Sequence, residues 1–439
     1  MELFNRVNSV FDDFKSENII EQGRLFDTAF VRNRKLSFDR VALFLLNKNG
    51  LTQTLEAYNF SCGLNIDNFS RQAFCQARMK FNPQIFKIIN MNFLRRFYHE
   101  TEFKTFKGYK ILAIDGSVID LPNKKSLKEI YGGIKGTHSE FIKLKAQSSG
   151  IYDCLNNMMI DFQLAPYKTS EKELVYQNIE QALKLFKNDE IILIFDRGYP
   201  SIEFFQFLTE KNIKFIFRIK KDNYKSQTDK IEGNEGEINL KTKKNKEKLF
   251  NESKLSLRVN KIPTKNNEVI LISNLPINEV SYDEIAELYR QRWEIEKSFE
   301  ILKNKLYIEN ISGYSKIAVE QDFYSQILTY NIVKDINNKA NEILKQKQQT
   351  KKLKNKIQKT IEKKEENKIK INMNHLIGYF RKNILKIYKT RNIRKKYKIF
   401  KEMLEITMKS LTYGKAKRHF KRTNKRTTPK NKTNIRRNS

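Results

Sequence analysis

Three acidic residues of the chain have side chains and surroundings suited to metal chemistry. Asp115 follows the apolar run YKILAI, Asp196 follows EIILIF, and Glu296 lies in the amphipathic stretch YRQRWEIEKSFEILKNKL. Both aspartates end predicted strands, so their carboxylates emerge at one sheet edge if the strands are neighbours. Such a pair can bind hard divalent cations. Taken singly, each aspartate is more typical of a turn, because Asp-Gly and Asp-Arg-Gly after a strand are turn sequences.

Helical periodicity gathers polar side chains around Glu296. At about 100° per residue, Tyr289, Arg292, Glu296 and Lys303 share one narrow stripe. This stripe borders a predicted buried face, which consists of Leu288, Ile295, Phe299, Leu302 and Leu306. An ordinary helical ion pair between Arg292 and Glu296, worth only ~0.3–0.5 kcal/mol, explains the pattern equally well.

Composition indicates the kind of partner. The chain has 439 residues, 39% of them hydrophobic, and a formal net charge of +35, so two or three folded domains and a polyanionic partner are expected. Nucleic acid is the leading partner. A membrane is the rival, but no apolar run reaches the roughly 18 residues of a spanning helix, and no signal pattern begins the chain. We therefore expect a soluble cytoplasmic protein. Cysteine and histidine spacings indicate no zinc site or disulfide framework, so any metal is expected to have oxygen ligands.

The elements that must position these side chains fall into four segments. Residues 1–106 are predicted to be a helical DNA-binding domain, and residues 107–220 with 279–335 a mixed α/β catalytic core. Residues 221–278 are predicted to form a β-rich insertion in that core. Residues 336–439 are predicted to be a lysine-rich helical region with a disordered basic tail, which would contact phosphates.

One N-terminal helix is a candidate for DNA contact. Ser70 is predicted to cap a helix through RQAFCQARMKF, which carries Arg71, Arg78 and Lys80 on its polar side. A basic helix of this kind can lie against DNA. An ordinary amphipathic helix with a solvated basic face has the same periodicity.

At these residues the sequence resembles the bacterial insertion-sequence transposases of family four. Tyr289, Arg292, Glu296 and Lys303 match the spacing of that family's Tyr-Arg-Glu-Lys signature. The contexts AIDGS at Asp115 and DRGYPS around residue 196 are similar to those of the family's two aspartates. The resemblance covers about residues 68–335 and includes a β insertion before the glutamate.

The resemblance implies a ribonuclease H-like core in which Asp115, Asp196 and Glu296 form the catalytic, metal-binding triad. Two Mg²⁺ ions ~3.5–4 Å apart would activate water or a 3′-hydroxyl on one side of a phosphodiester and stabilise the leaving oxygen on the other. Mn²⁺ would substitute for Mg²⁺. The resemblance also implies that Arg292 and Lys303 hold the DNA backbone, and that Tyr289, the third DNA-binding residue of the signature, orients or stacks on the DNA end.

Other residues of the signature helix compete for these roles. Glu294 lies opposite the stripe, whereas Glu300 is geometrically possible as the third carboxylate. The register of the motif favours Glu296. Trp293 is more typical of a core aromatic than of a wedge between bases.

The predicted function is therefore metal-dependent DNA strand cleavage and strand transfer in the transposition of an insertion sequence by a cut-and-paste route. The expected partners are the terminal inverted repeats, target DNA and a second copy of the chain, in a cytoplasmic, nucleoid-associated protein. Two alternatives stay open: a ribonuclease H-like DNA nuclease without strand transfer, and a catalytically silent DNA-binding transposase derivative.

Overall fold

The computed structural model of the protein describes residues 1–32, 34–135, 142–241, 254–264, 267–356 and 369–412. The architecture is mixed α/β, as predicted. The predicted basic tail, and the polar segments 242–253 and 357–368, lie outside the described residues. Among the residues that the structure describes, no helix combines the length and the apolar character needed to cross a membrane.

Helices and strands follow one another in two stretches. The first contains α1 (Glu2–Asp13), α2 (Glu17–Gly23), α3 (Phe38–Leu46), α4 (Gln53–Leu64), α5 (Arg71–Arg78), α6 (Gln84–Glu100), β1 (Lys110–Asp120), α7 (Lys125–Tyr131), β2 (Gly133–Lys135), β3 (Ile142–Asp153), β4 (Met158–Pro166) and α8 (Glu171–Ala182). The second contains a 3-10 turn (Asn188–Glu190), β5 (Ile191–Phe195), α9 (Ile202–Glu210), β6 (Lys214–Ile219), α10 (Lys225–Thr228), β7 (Glu235–Lys241), β8 (Lys254–Pro263), β9 (Glu268–Ser273), α11 (Tyr282–Arg290), α12 (Trp293–Asn304), α13 (Lys316–Lys356), β10 (Lys370–Ile371), α14 (Met373–Lys389), α15 (Ile393–Lys409) and β11 (Leu411–Thr412).

The chain divides into two compact units. A helical unit contains Met1–Thr101, Asp120–Ile130 and the described residues from Ile301 onward, and a sheet unit contains Glu102–Ile119 and Tyr131–Glu300. The N-terminal helices thus share a unit with the C-terminal helices, whereas composition had assigned them to separate segments. The division into four segments stays a prediction.

The helical unit is built around α13. This helix contacts α1, α3, α6, α14 and α15, and its apolar residues Leu328, Ile332 and Ile336 are buried. The predicted N-cap of α5 is present, because the Ser70 hydroxyl accepts a hydrogen bond from the Ala73 amide at 3.1 Å. Burial of one apolar face per helix holds these elements in place.

The sheet unit contains one large mixed sheet. Its strand order is β2-β3-β1-β5-β6-β9-β8-β7, and β4 pairs with β3. Strands β1, β5 and β6 are parallel neighbours, whereas β9 and β8 continue the sheet in antiparallel pairs. The strands of the predicted insertion therefore extend the main sheet.

The central strands are apolar because both of their faces are covered. All five residues of β5 are buried, and Phe195 stacks on Phe217 of β6 with ring centroids 4.3 Å apart. Phe204 of α9 packs edge-on against Phe195 at 5.2 Å. This rigid layer fixes where β5 ends, and with it the position of residue 196.

Candidate active site

Asp115 and Asp196 lie at the same level of neighbouring strands. Asp196 directly follows β5, as predicted, but the prediction that Asp115 ends a strand was wrong, because β1 continues to Asp120. Strands β1 and β5 run parallel with Ile114 opposite Phe195, and each aspartate directly follows a residue of that pair. Neighbouring strands lie about 4.8 Å apart, and residues at one register point to the same face. The condition set by the sequence, that these two strands be neighbours, is met.

Glu296 comes from α12, which follows a break in the predicted helix. The sequence predicts one helix from about residue 282 to 306, but the structure ends α11 at Arg290 and begins α12 at Trp293. At the break the Arg292 amide donates to the Tyr289 carbonyl at 3.1 Å, in a tight four-residue turn. No Gly or Pro marks this position. The prediction of an unbroken helix was wrong because buried contacts of Arg292, invisible in the periodicity, fix the turn.

Arg292 supplies positive charge to two of the three carboxylates. Its Nη2 lies 2.7 Å from Glu296 Oε1 and its Nη1 lies 3.6 Å from Asp115 Oδ2. Arg292 is 4% exposed, whereas the Asp115 and Glu296 side chains are 24% and 35% exposed, so these are partly buried ion pairs rather than the weak surface pair that periodicity allowed. Its Nε has no hydrogen-bond partner.

Tyr289 and Arg218 hold the other aspartate. The Tyr289 hydroxyl donates a hydrogen bond to Asp196 Oδ1 at 3.1 Å, and Arg218 Nη1 of β6 lies 3.7 Å from the same oxygen. Sequence reasoning missed Arg218. The available signal was an arginine in the apolar strand KFIFRIK, because a charge in a buried strand requires a partner.

The pKa values of Asp115 and Tyr289 are shifted by burial and by the charges near them. Burial raises the pKa of Asp115 to about 6, although Arg292 opposes the shift; the nearby carboxylates of Glu296 and Asp196 add to it. Burial, and then the charge of Asp196, raise the pKa of Tyr289 to about 12. Asp115 therefore lacks sufficient positive charge around it.

A second group of residues packs behind Asp115. Glu171, the first residue of α8, lies so close to Gly116 that a Cβ there would be 2.8 Å from the Glu171 carboxyl group. Gln147 Nε2 donates to Glu171 Oε1 at 2.9 Å. Tyr199 is buried, and its pKa is raised by burial and then by the charges of Glu171 and Asp115. The sequence analysis included Gly116 and Tyr199 only as parts of the motifs AIDGS and DRGYPS, and it did not identify Glu171.

Other contacts are made by Lys303 of the signature and by two further residues of α12, Trp293 and Glu294. Lys303 is in the last turn of α12, and its Nζ lies 3.7 Å from Glu309 Oε1. Trp293 is 53% exposed, with the Arg292 guanidinium 5.4 Å from its ring. It is therefore not the core aromatic that the sequence favoured. Glu294 pairs with Lys297 at 2.5 Å.

The three basic residues of the Ser70-capped helix have different surroundings. Arg71 and Lys80 are partly exposed. Arg78 is 1% exposed and donates to Gln321, Ser312, Asp322 and the Ala318 carbonyl. A guanidinium whose donors are used inside the fold has a structural role, so the DNA contact predicted for Arg78 has no support in this placement.

The donor set suits divalent cations. Asp115, Asp196 and Glu296 offer carboxylate oxygens, which Mg²⁺ prefers, and burial, the main cause of the raised pKa of Asp115, makes its negative charge costly unless a cation lies beside it. Among the described residues, no three Asp, Glu, His or Cys side chains are already gathered as ligands. Arg292 occupies the position of the counter-charge beside Asp115 and Glu296, so a cation bound to both carboxylates requires the guanidinium to move.

Comparison with known proteins gives a consistent result. A family model described as "Transposase DDE domain" matches residues 106–332, just over half of the chain. A putative transposase for insertion sequence element IS4SA of a Synechocystis strain is 29% identical over 157 residues, which is 33% of this chain and 40% of the relative. Transposase InsG for insertion sequence element IS4 of Escherichia coli K12 is 22% identical over 326 residues, 70% of this chain and 71% of the relative.

One solved structure is also similar. A cryo-EM structure of the piggyBac transposase synaptic complex with hairpin DNA matches with a TM-score of 0.42 and 11% identity, covering 90% of this chain and 85% of that one. A TM-score of this size does not establish a common fold.

Proposed function

This chain belongs to the transposase DDE domain family, in its insertion sequence IS4 type, and we propose that it cuts and rejoins the DNA of an insertion sequence. The proposed catalytic carboxylates are Asp115, Asp196 and Glu296. The observation that supports them most strongly is the parallel pairing of β1 and β5, which brings the two aspartates to one level of the sheet.

The same pairing supports a ribonuclease H-like core for the sheet unit. Arg292 links Glu296 to Asp115 within 4 Å on both sides, so the helix that follows the last strand returns to the aspartates. Arg292 thus reaches Asp115, which lies 177 residues earlier in the chain. Such convergence is what a shared metal site requires.

Asp115, Asp196 and Glu296 are proposed to hold two Mg²⁺ ions, with Mn²⁺ as a substitute. Bound ions of this kind stabilise both the attacking and the leaving oxygen of an in-line displacement at phosphorus. Arg292, once released from the carboxylates, would carry its planar guanidinium to a backbone phosphate. Tyr289 and Arg218 would keep the Asp196 carboxylate oriented through the contacts that they already make.

The proposed partners follow from charge and family. The net charge of +35 suits terminal inverted repeats and target DNA, and Lys303, Arg71 and Lys80 are proposed DNA contacts. We also propose a homodimer in the complex that pairs the two ends, and a nucleoid-associated location. Sedimentation of the chain with and without paired ends would test the dimer.

The test is a strand-transfer assay with the full chain. Duplex DNA that carries the element's ends is incubated with a supercoiled target and 5 to 10 mM Mg²⁺, amounts on the order of those that saturate weak oxygen-ligand sites. We expect cleavage at the ends and covalent joining of 3′-hydroxyl ends to the target. Asp115→Ala, Asp196→Ala and Glu296→Ala should each abolish both reactions.

Two matched variants make the assignment specific. Glu300→Ala and Glu294→Ala remove a carboxylate from the same helix without touching the proposed triad, and they should keep cleavage. Cleavage without joining would identify a nuclease instead. Binding of the ends without any cleavage would identify a silent DNA-binding derivative.

A further inference from the structure

A cavity in the helical unit is lined by basic and amide side chains from α4, α14 and the segment after α3. Its volume is about 460 Å³, room for several waters at ~30 Å³ each or for a phosphate group with some of its hydration. Arg381, Lys382, Lys386 and Lys389 line it, together with Asn47 and Asn59. Its lining contains four cationic side chains and no carboxylate.

Arg381 is buried there without a counter-ion. Arg381 is 7% exposed, its Nε has no hydrogen-bond partner, and Nη2 makes one long contact of 3.5 Å with Gln326 Oε1. Within the described part of the chain no carboxylate forms an ion pair with it. Glu56 exerts the largest attraction of any negative charge on it, but Glu56 Oε1 already accepts from the amides of Asn49 and Leu51.

The other buried arginines of the helical unit differ in this respect. Arg6 binds Asp335 through two hydrogen bonds of 2.9 and 3.0 Å, and Arg78 binds Asp322 at 3.1 Å. An uncompensated buried charge costs several kcal/mol, so a fold does not bury a bare guanidinium without reason. The contrast indicates that the negative partner of Arg381 is supplied from outside the chain.

The face of α14 next to Arg381 leaves room for a negatively charged ligand to lie close to the helix. Gly378, Lys382 and Lys386 follow one another at helical spacing of four, on one face of the helix. Glycine inside a helix costs about 1 kcal/mol relative to alanine, yet nothing lies within 4 Å of the Cβ that Gly378 lacks. The lysines, exposed and of like charge, repel one another unless an anion lies between them.

We propose that this cavity binds adjacent backbone phosphates of DNA, with Arg381 at its base and with Lys382, Lys386 and Lys389 along its rim, where Lys382 and Lys386 each contact a phosphate. DNA is the occupant because the positive face continues past the cavity: Gly378 to Lys389 spans about 17 Å of helix at 1.5 Å per residue, about five base-pair steps at 3.4 Å. This inference rests on the proposed function for its choice of DNA.

Salt-dependent binding of the full-length chain to a 30-base-pair fluorescent duplex, roughly three turns at about 10 base pairs each, tests the site. Each lost phosphate contact lowers the slope of log K against log salt by about 0.9. Lys382→Gln/Lys386→Gln should therefore lower the slope by about 1.8 and weaken binding at 0.1 M salt by up to about 60-fold. Lys395→Gln/Lys398→Gln, which removes the same charge from the exposed face of α15, should leave both unchanged.

Cys62 gives an independent readout, because this exposed thiol lines the cavity. The duplex should slow maleimide labelling of Cys62 in the wild type and in the Lys395→Gln/Lys398→Gln variant, but not in Lys382→Gln/Lys386→Gln.

Arg381→Gln separates a ligand contact from a structural residue. Without DNA its Tm should be equal to or above that of the wild type, since a poorly solvated charge is removed, and added duplex should raise its Tm less. A fall in the DNA-free Tm, or equal salt slopes for the two lysine pairs, overturns the proposed site while leaving the transposase assignment intact. A wild type that cleaves nothing and does not bind the duplex overturns both.

Discussion

Arg292 provides positive charge at the candidate active site when no metal is bound. It lies within 4 Å of Asp115 and Glu296 and is nearly inaccessible to solvent. Removing one partner of a buried ion pair leaves the other uncompensated and costs about 3–5 kcal/mol. The stability of the site and its readiness for a cation are therefore linked through one side chain.

Arg292→Gln should lower the free energy of unfolding of the metal-free protein by about 3–5 kcal/mol, measured by urea denaturation in EDTA. Added Mn²⁺ should recover part of the lost free energy of unfolding, because its positive charge compensates the carboxylates of Asp115 and Glu296. Arg290→Gln is the matched control: the surface pair of Arg290 with Glu287 is worth less than about 1 kcal/mol. Equal losses in the two variants would contradict the charge-compensating role.

Asp115→Asn should raise the Tm of the metal-free protein at pH 7.5 while abolishing DNA cleavage. The pKa of Asp115 is raised to about 6, so the folded chain binds this proton more tightly than the unfolded chain. The ionised carboxylate consequently reduces stability, by about 3 kcal/mol at full ionisation. The penalty appears as pH rises from about 4 to 6 and persists above that range.

Thermal scans in EDTA at pH 7.5 and pH 4 test whether the ionised Asp115 carboxylate reduces stability. The difference in Tm between Asp115→Asn and wild type should be largest at pH 7.5 and vanish near pH 4. Asp196→Asn is the comparison. Because Asp196 already accepts a hydrogen bond from Tyr289 and lies beside Arg218, this substitution should not raise the Tm. An unchanged Tm for Asp115→Asn at pH 7.5 would refute the predicted penalty.

Among the elements, β1 and α8 approach each other closely at Gly116. A Cβ at residue 116 would lie 2.8 Å from the Glu171 carboxyl group, directly next to Asp115 in the strand. Glu171 is exposed, so in Gly116→Ala its side chain should move aside, at a cost of about 1 kcal/mol for the lost hydrogen bond from Gln147, and cleavage should fall because the surroundings of Asp115 change. Glu171→Ala in the same chain should recover much of the cleavage.

Gly198→Ala serves as the control for this pair, since nothing lies within 4 Å of the added Cβ. Stability by urea denaturation and cleavage rates should change little in this variant. If Gly116→Ala behaves like Gly198→Ala, the close approach of α8 to β1 does not constrain the site.

The strands of the sheet unit were predictable, whereas the contacts that complete the site were not. Apolar runs mark β1 and β5 because both faces of these strands are buried there, although β1 continues past its apolar run to Asp120. The break before Trp293 carries no sequence signal, because burial of Arg292 against carboxylates from another part of the chain decides it. Arg218 and Glu171 lie next to the aspartates only through strand order and helix packing, which local periodicity does not encode. Arg78 shows the same limit: helical spacing placed it on a polar face, but its partners are more than 230 residues away.

At the scale of the whole molecule, a buried charge network joins early and late parts of the helical unit. Asp322 in α13 accepts from Arg78 and Lys48 at 3.1 and 3.0 Å, and its pKa stays below its ordinary value because these two charges outweigh the effect of burial. The N-terminal helices are thereby tied to α13. Residues 1–101 are accordingly not expected to fold stably without the later helices.

Arg78→Gln should lower the free energy of unfolding by about 3–5 kcal/mol but leave the salt slope of DNA binding unchanged at temperatures where the variant is folded. Arg71→Gln/Lys80→Gln should do the opposite, with a lower slope and near-normal stability, because both side chains are partly exposed. Urea denaturation and salt titrations of duplex binding measure the two quantities. A lower slope for Arg78→Gln would show that Arg78 leaves its buried partners to reach DNA.

The order of the carboxylates along the chain has a consequence in time. Glu296 follows Asp196 by 100 residues, which include the outer strands β6 to β9 of the sheet. A ribosome that extends the chain by about 5–20 residues per second needs roughly 5–20 s to pass from one to the other. During this interval a growing chain has both aspartates but lacks the glutamate, so on the proposed assignment it is harmless to nearby DNA until synthesis of the sheet unit is nearly finished.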